Sequence, residues 1–136
     1  MSKIRLDHIG IAVNNLDEGE KFWKLLGLLS DGNDEENHEQ GVNIRFLSTD
    51  KGDPARIELL SPISQDTPIG RFIEKRGQGI QQIAFEVEDL QQTIQELINS
   101  GIDMIDDSPK SGAHGTKIAF VHPKSTGGVL VELLEK

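Results

Sequence analysis

The 136-residue chain contains no cysteine, no tyrosine and a single tryptophan. Without thiols it has no disulfide framework, no thiolate metal ligand and no cysteine nucleophile, which fits a cytoplasmic protein. Aromatic residues make up 4% of the chain, too few for a base-stacking surface. Basic residues are outnumbered, 14 Lys and Arg against 23 Asp and Glu, for a formal net charge of −9. That excess argues against broad nucleic-acid binding, yet leaves room for an anionic ligand held by a local basic cluster. No apolar run reaches the roughly 18 residues that a membrane span needs, and no charged-then-apolar leader opens the chain, so neither a membrane partner nor secretion is expected. The length suits one domain, or two half-size modules that gain stability by packing together.

What the sequence does contain is a repeat. The stretch Leu6 to Leu16 returns, altered, as Ile80 to Leu90. The same offset pairs Gly27 with Gly101, Gly41 with Gly115, Ile44 with Ile118 and Phe46 with Phe120. It also pairs Glu58-Leu59-Leu60 with Glu132-Leu133-Leu134. Ten of the 62 positions aligned between 1–62 and 75–136 are identical, where composition alone gives roughly four.

The matches fall where a folding unit needs them. Residues 4–13 alternate as a strand, with His8, Gly10 and Ala12 on one face and Ile9, Ile11 and Val13 on the other. Asn15, with Glu18 three residues on, caps a helix that runs to Leu26 and stops at Gly27; Phe22, Trp23, Leu25 and Leu26 give it a broad apolar face. In the second copy Asp89 caps, Leu90, Ile94, Leu97 and Ile98 form the stripe, and Gly101 stops the helix. The polar run 31–41 reads as a solvated loop, or as a flap over a site. Strands follow at 42–48 and 55–60, joined by a turn through 50–54, with a short helical connector over 63–74 started by Asp66-Thr67-Pro68. The second copy continues with a loop over 106–115 and strands at 117–122 and 129–134. Further short strands are expected at 28–29 and 102–105. One helix per module covers one face of its strands and leaves the other open. The expected class is α+β, two paired βαβββ modules forming an open, cup-shaped mixed sheet.

Chemistry concentrates at equivalent positions. His8 and Gln82 correspond across the repeat, and so do Glu58 and Glu132. Glu132 sits inside the apolar run Val129 to Leu134, and a carboxylate on a half-buried strand must be paired, solvated or ligated. If a pseudo-twofold axis relates the modules, one imidazole, two carboxylates and one amide carbonyl converge into a mixed nitrogen and oxygen site. Such a site suits one divalent metal ion, with Mg²⁺, Mn²⁺, Co²⁺, Ni²⁺ and Zn²⁺ all admissible.

Longer motifs make the pattern specific: Asp7-His8-Ile9-Gly10-Ile11-Ala12-Val13, Glu39-Gln40-Gly41-Val42, Glu58-Leu59-Leu60-Ser61-Pro62 and Asp66-Thr67-Pro68-Ile69-Gly70-Arg71-Phe72. Gly112-Ala113-His114-Gly115, Phe120-Val121-His122-Pro123-Lys124 and Gly128-Val129-Leu130-Val131-Glu132-Leu133 complete the set. Through them the chain resembles the vicinal-oxygen-chelate (glyoxalase/bleomycin-resistance) superfamily and, within it, the methylmalonyl-CoA epimerase family. The resemblance implies one domain over 1–136, a cup around one divalent metal held by His8, Glu58, Gln82 and Glu132, and a homodimer. It implies an acyl-CoA substrate epimerised at C2 through a metal-stabilised enolate, with Glu132 as one base and Glu58 or His114 as the second. Lys110, Lys117 and Lys124 are candidates to meet the CoA phosphates. Two positions depart from the family: Gln82 stands where a second histidine is usual, and Ile44 where some bacterial members carry a glutamate base. A glyoxalase-type lyase, which needs the same donors, and a non-catalytic small-molecule-binding protein of the same fold are the alternative readings.

Overall fold

Alternating apolar residues closed by turn residues form the strands, and capped apolar stripes form the helices, in the order the repeat dictates. The structure, a computed structural model, describes residues 3–30, 32–49 and 52–136. These gather into two compact units, one spanning His8–Gln81 and the other Gln82–Lys136 with the residues up to Asp7. The first strand, β1 (Ile4–Ala12), contributes to both.

The unit His8–Gln81 holds, after β1, the helices α1 (Leu16–Gly19) and α2 (Lys21–Leu26). Strands β2 (Leu29–Ser30), β3 (Glu35–Asn37), β4 (Val42–Ser48) and β5 (Arg56–Pro62) follow, and then α3 (Pro68–Arg76). β5 runs parallel to β1 and antiparallel to β4, and β4 takes β2 and β3 on its other edge. The Asn15 side chain caps α1 by accepting from the Glu18 amide at 3.1 Å, and Thr67 caps α3 by accepting from the Gly70 amide. Val13, Leu16, Leu47 and Leu59 form the buried core beneath α1, with Ile11, Trp23, Leu28 and Ile57 packed against it.

Two expectations change here. The first helix is not continuous: it breaks at Glu20, between α1 and α2. An apolar stripe counted at 3.6 residues per turn does not stay in phase across such a break. Phe22, Leu25 and Leu26 therefore end up 63%, 88% and 63% exposed, and of the expected apolar face only Trp23 packs on the core. Just before the break the chain passes close to β1's end: a Cβ on Gly19 would stand 2.7 Å from Val13 Cγ1.

The polar run 31–41 is also more ordered than a loop. It contains β3, which pairs Glu35 with Ile44 and Asn37 with Val42. Arg45 holds the run in place. Its Nε and Nη2 donate to the two oxygens of Asp34 at 2.8 and 2.6 Å, and its Nη1 donates to Asp17 and Glu20 at 2.9 and 3.1 Å. Asp31 of this run, and Asp50 and Lys51 of the turn before β5, lie outside the described residues.

The other unit holds β6 (Gly79–Val87, from Gln82 onward), α4 (Leu90–Asn99), β7 (Lys110–Ser111), β8 (Lys117–Val121) and β9 (Val131–Glu135). Asp89 caps α4 by accepting from the Gln92 amide at 3.0 Å. β9 runs parallel to β6 and antiparallel to β8, which pairs with β7. The core here is Val87, Leu90, Ile94, Ala119, Val121 and Leu133. Val87, Leu90, Val121 and Leu133 are the repeat counterparts of Val13, Leu16, Leu47 and Leu59. Strand register repeats at the same offset: Gly10 faces Glu58 as Ala84 faces Glu132, and Ile44 faces Leu60 as Ile118 faces Leu134. The strand expected at 102–105 reduces to one bridge from Met104 to Val121. The expected loop 106–115 carries β7 and a 3₁₀ turn, Ala113–Gly115. The last strand opens at Val131 rather than Val129. Ion pairs join Arg5 to Glu86 at 2.8 Å and Lys136 to the buried Asp7 at 2.8 Å. Among the described residues no helix is long and apolar enough to cross a membrane.

The packing sets the cost of truncating each side chain. Leu90 is fully buried, so Leu90→Ala lowers unfolding free energy by about 3 kcal/mol. Leu25→Ala, on the exposed helix face, changes it by no more than about 0.5 kcal/mol; urea denaturation of both variants checks the contrast. The hydrogen bonds from Arg45 lower the Asp34 pKa below its ordinary 3.8, against an opposing push from burial and with further help from the Arg45 charge. A carboxylate whose folded pKa is depressed contributes stability that is full above its unfolded value and lost as pH falls through the folded one. Arg45→Met therefore flattens the acid limb of the stability curve below about pH 4, measured by urea denaturation from pH 7 downward.

Candidate functional site

Strand alternation places the chemistry-bearing residues of each unit on one face. In the unit His8–Gln81, His8 lies opposite Arg56 and Gly10 opposite Glu58, so His8 and Gly10 share a face with Arg56 and Glu58. Gly10 carries no side chain to crowd the carboxylate beside it. His8 Nε2 lies 3.4 Å from Glu58 Oε1. Phe46, opposite Glu58 on β4, meets the His8 ring edge-on, with centroids 5.4 Å apart and planes at 86°. The Arg56 guanidinium lies 4.3 Å over the Phe46 ring.

The other unit repeats the arrangement with an amide in place of the imidazole. Ala84, small like Gly10, lies opposite Glu132. Gln82 Nε2 donates to Glu132 Oε1 at 3.3 Å. His8, Glu58, Gln82 and Glu132 are all between 3% and 7% exposed. Each unit thus buries one carboxylate beside one nitrogen-bearing side chain, and buried carboxylates persist only when their charge is met by a partner, a proton or a cation.

The remaining expectations sort by exposure and partner. Ile44 is buried between Glu35 and Leu60 on the neighbouring strands and carries no group that moves a proton. His114 is exposed, at φ 55° in the 3₁₀ turn before β8, and Gly112 beside it packs so tightly that an added Cβ would stand 2.4 Å from Ile118 Cγ2. His38 pairs with Glu36 on the surface, and His122 Nδ1 accepts from the Lys124 amide, which gives both local roles. Lys110 is paired with Asp106 at 3.2 Å and Lys124 with Asp103 at 3.4 Å, while Lys117 is exposed. Sequence reasoning missed Arg56 and Phe46. The signal for Arg56 was its place two residues before Glu58 on one strand, which fixes a shared face.

Comparison with known proteins places the chain in a family. Residues 7–120 match the model of the glyoxalase/bleomycin resistance protein/dioxygenase superfamily. The mitochondrial methylmalonyl-CoA epimerase of Dictyostelium discoideum is 37% identical over 133 residues, covering 97% of this chain and 78% of that protein. The crystal structure of methylmalonyl-CoA epimerase from Mycobacterium tuberculosis superposes with a TM-score of 0.88 at 37% identity, over 96% of this chain and 86% of that one. A methylmalonyl-CoA epimerase solved in complex with methylmalonyl-CoA and NH4+ gives a TM-score of 0.90 at 34% identity, over 99% and 96%.

Proposed function

Since the chain belongs to the glyoxalase/bleomycin resistance protein/dioxygenase superfamily and, within it, to the methylmalonyl-CoA epimerases, we propose that it is an isomerase that epimerises methylmalonyl-CoA at C2 with one divalent metal ion. The observation that carries this reading is the pair of buried dyads, His8–Glu58 and Gln82–Glu132, at equivalent positions of the repeat. In this proposal the ion is assigned to His8, Glu58 and Glu132, all three buried, with the Gln82 carbonyl as the fourth donor. Imidazole, carboxylate and amide oxygen are hard or borderline ligands, a set that fits Mg²⁺ or a first-row divalent ion. Bound there, the ion supplies Lewis-acid stabilisation of the enolate that forms when C2 loses its proton.

The chain's own residues move the protons. Glu132, as carboxylate, takes the C2 proton from one side of the substrate, and its Oε1 is oriented by the Gln82 hydrogen bond. A second group delivers a proton to the opposite side, since removal and return on one side would restore the starting isomer. Glu58, related to Glu132 by the repeat, is the second group in this proposal; His114 is the alternative. The two groups change roles when the reaction runs in the other direction. Ile44 has no part in it. The working assembly in this proposal is a homodimer in the cytoplasm, and sedimentation of the intact protein at twice the chain mass tests the dimer.

Metal removal tests the reading most simply. Protein treated with a chelator loses conversion of one methylmalonyl-CoA epimer to the other and regains it with Co²⁺ or Mn²⁺. The same ions raise the melting temperature of the stripped protein, and do so at lower concentration in Gln82→His, because imidazole binds these ions more tightly than an amide oxygen. Glu132→Gln lowers turnover by about 100-fold or more. Full activity in stripped protein, with no thermal shift on adding the ions, contradicts the proposal.

A further inference from the structure

The face of β4 and β5 turned away from the His8–Glu58 dyad carries polar residues that the proposed reaction does not use. Across the two strands Asn43 pairs with Ser61, Arg45 with Leu59 and Leu47 with Ile57, so alternation sets all six on one face. Leu47 and Leu59 belong to the core beneath α1. Beyond that core the same face borders a cavity of about 500 Å³, wholly within the unit His8–Gln81. Small-molecule sites run to roughly 300–1,000 Å³. Asn43 and Ser61 line the cavity, and Leu16 and Pro62 give it apolar wall.

Two independent features point to a ligand. Ser61 is only 6% exposed, yet its hydroxyl has no hydrogen-bond partner among the described residues. Buried polar groups are ordinarily bonded, and the side on which Ser61 can find a partner is the cavity that it lines. The second feature is charge. Arg45 meets Asp34, Asp17 and Glu20, three carboxylates around one guanidinium. Asp17, Asp34 and Arg45 all line the cavity, and Glu35 and Glu36 add two more acidic side chains. A cleft with such a surplus concentrates cations and repels anions, acyl-CoA included.

We propose that this cavity is a second binding site, for a small aliphatic amine with two or more ammonium groups. Its N–H groups donate to the carboxylates and to the Asn43 and Ser61 oxygens, and its methylenes lie along Leu16 and Pro62. A bare metal ion would leave most of the volume and the apolar wall unused. No residue of either dyad lines the cavity, so this site stands or falls apart from the epimerase reading.

Calorimetry on the intact protein tests it, with spermidine and putrescine as probes. Two controls divide the chemistry: 1,4-butanediol has the methylenes without charge, and Mg²⁺ has the charge without methylenes. Wild type binds both amines at one saturable site, spermidine more tightly, and does not bind the diol. Ser61→Ala, which breaks no existing bond, weakens spermidine binding by roughly 3- to 10-fold, the range of one hydrogen bond. Asp17→Asn, which leaves Asp34 and Glu20 on Arg45, weakens it by a similar factor. Glu88→Gln removes the same charge from an exposed residue outside the cavity and leaves binding within about twofold. The assignment is overturned if wild type shows no saturable amine binding, or if Ser61→Ala and Asp17→Asn have no effect. Equal weakening by Glu88→Gln overturns it too, since that is diffuse attraction. Mg²⁺ binding as tight as that of spermidine, and weakened by the same two variants, makes this a metal site instead.

Discussion

A carboxylate leaves water for a protein interior only where a partner, a proton or a cation takes up its charge. This chain buries two of them on strands, Glu58 and Glu132, one in each copy of its repeat. Every nearby choice serves that burial. Gly10 and Ala84 stand opposite the carboxylates and keep the space beside them small-sided. His8 and Gln82 bring a nitrogen to 3.4 and 3.3 Å of each carboxylate. The cores beneath, built on Val13, Leu16, Leu47 and Leu59 and again on Val87, Leu90, Val121 and Leu133, fix the strands that carry them. Removing one partner of such a dyad leaves an uncompensated buried charge, which is the costly change.

The repeat was the most legible feature of the sequence because it acts through local rules. Asn15 and Asp89 both accept from the amide three residues on, as their side chains allow. The register recurs at the sequence offset because the residue faces recur with it. What was not legible depended on longer-range packing. Nothing in Phe22, Leu25 and Leu26 announces that α2 will leave them exposed, because the residues themselves are as apolar as a core face. The strand β3 was hidden in a polar run because Arg45, on the neighbouring strand β4, is what gathers Asp34, Asp17 and Glu20 around one guanidinium.

The site was legible in its charged and polar members and not in their neighbours. His8, Glu58, Gln82 and Glu132 were singled out by residue type and by equivalence across the repeat, and all four are buried. Arg56 has no counterpart of its kind, since the equivalent position in the second copy is Leu130. A search by symmetry passes over it for that reason. Arg45 and Arg56 show how strand position decides an arginine's fate. Arg45 shares a face with Leu47 and is bound to three carboxylates, and Arg56 shares a face with Glu58, its Cζ 4.3 Å from the Phe46 ring centroid.

The central claim is that these two buried carboxylates, with a divalent ion, take and return the proton on C2 of methylmalonyl-CoA. Solvent deuterium incorporation at C2, followed by mass spectrometry on protein reconstituted with Co²⁺ beside a metal-stripped control, tests it most directly. Rapid incorporation by the reconstituted protein alone is the predicted result. Failure of the reconstituted protein to exchange that proton, with methylmalonyl-CoA bound, would contradict the claim and leave a protein that binds acyl-CoA without enolising it.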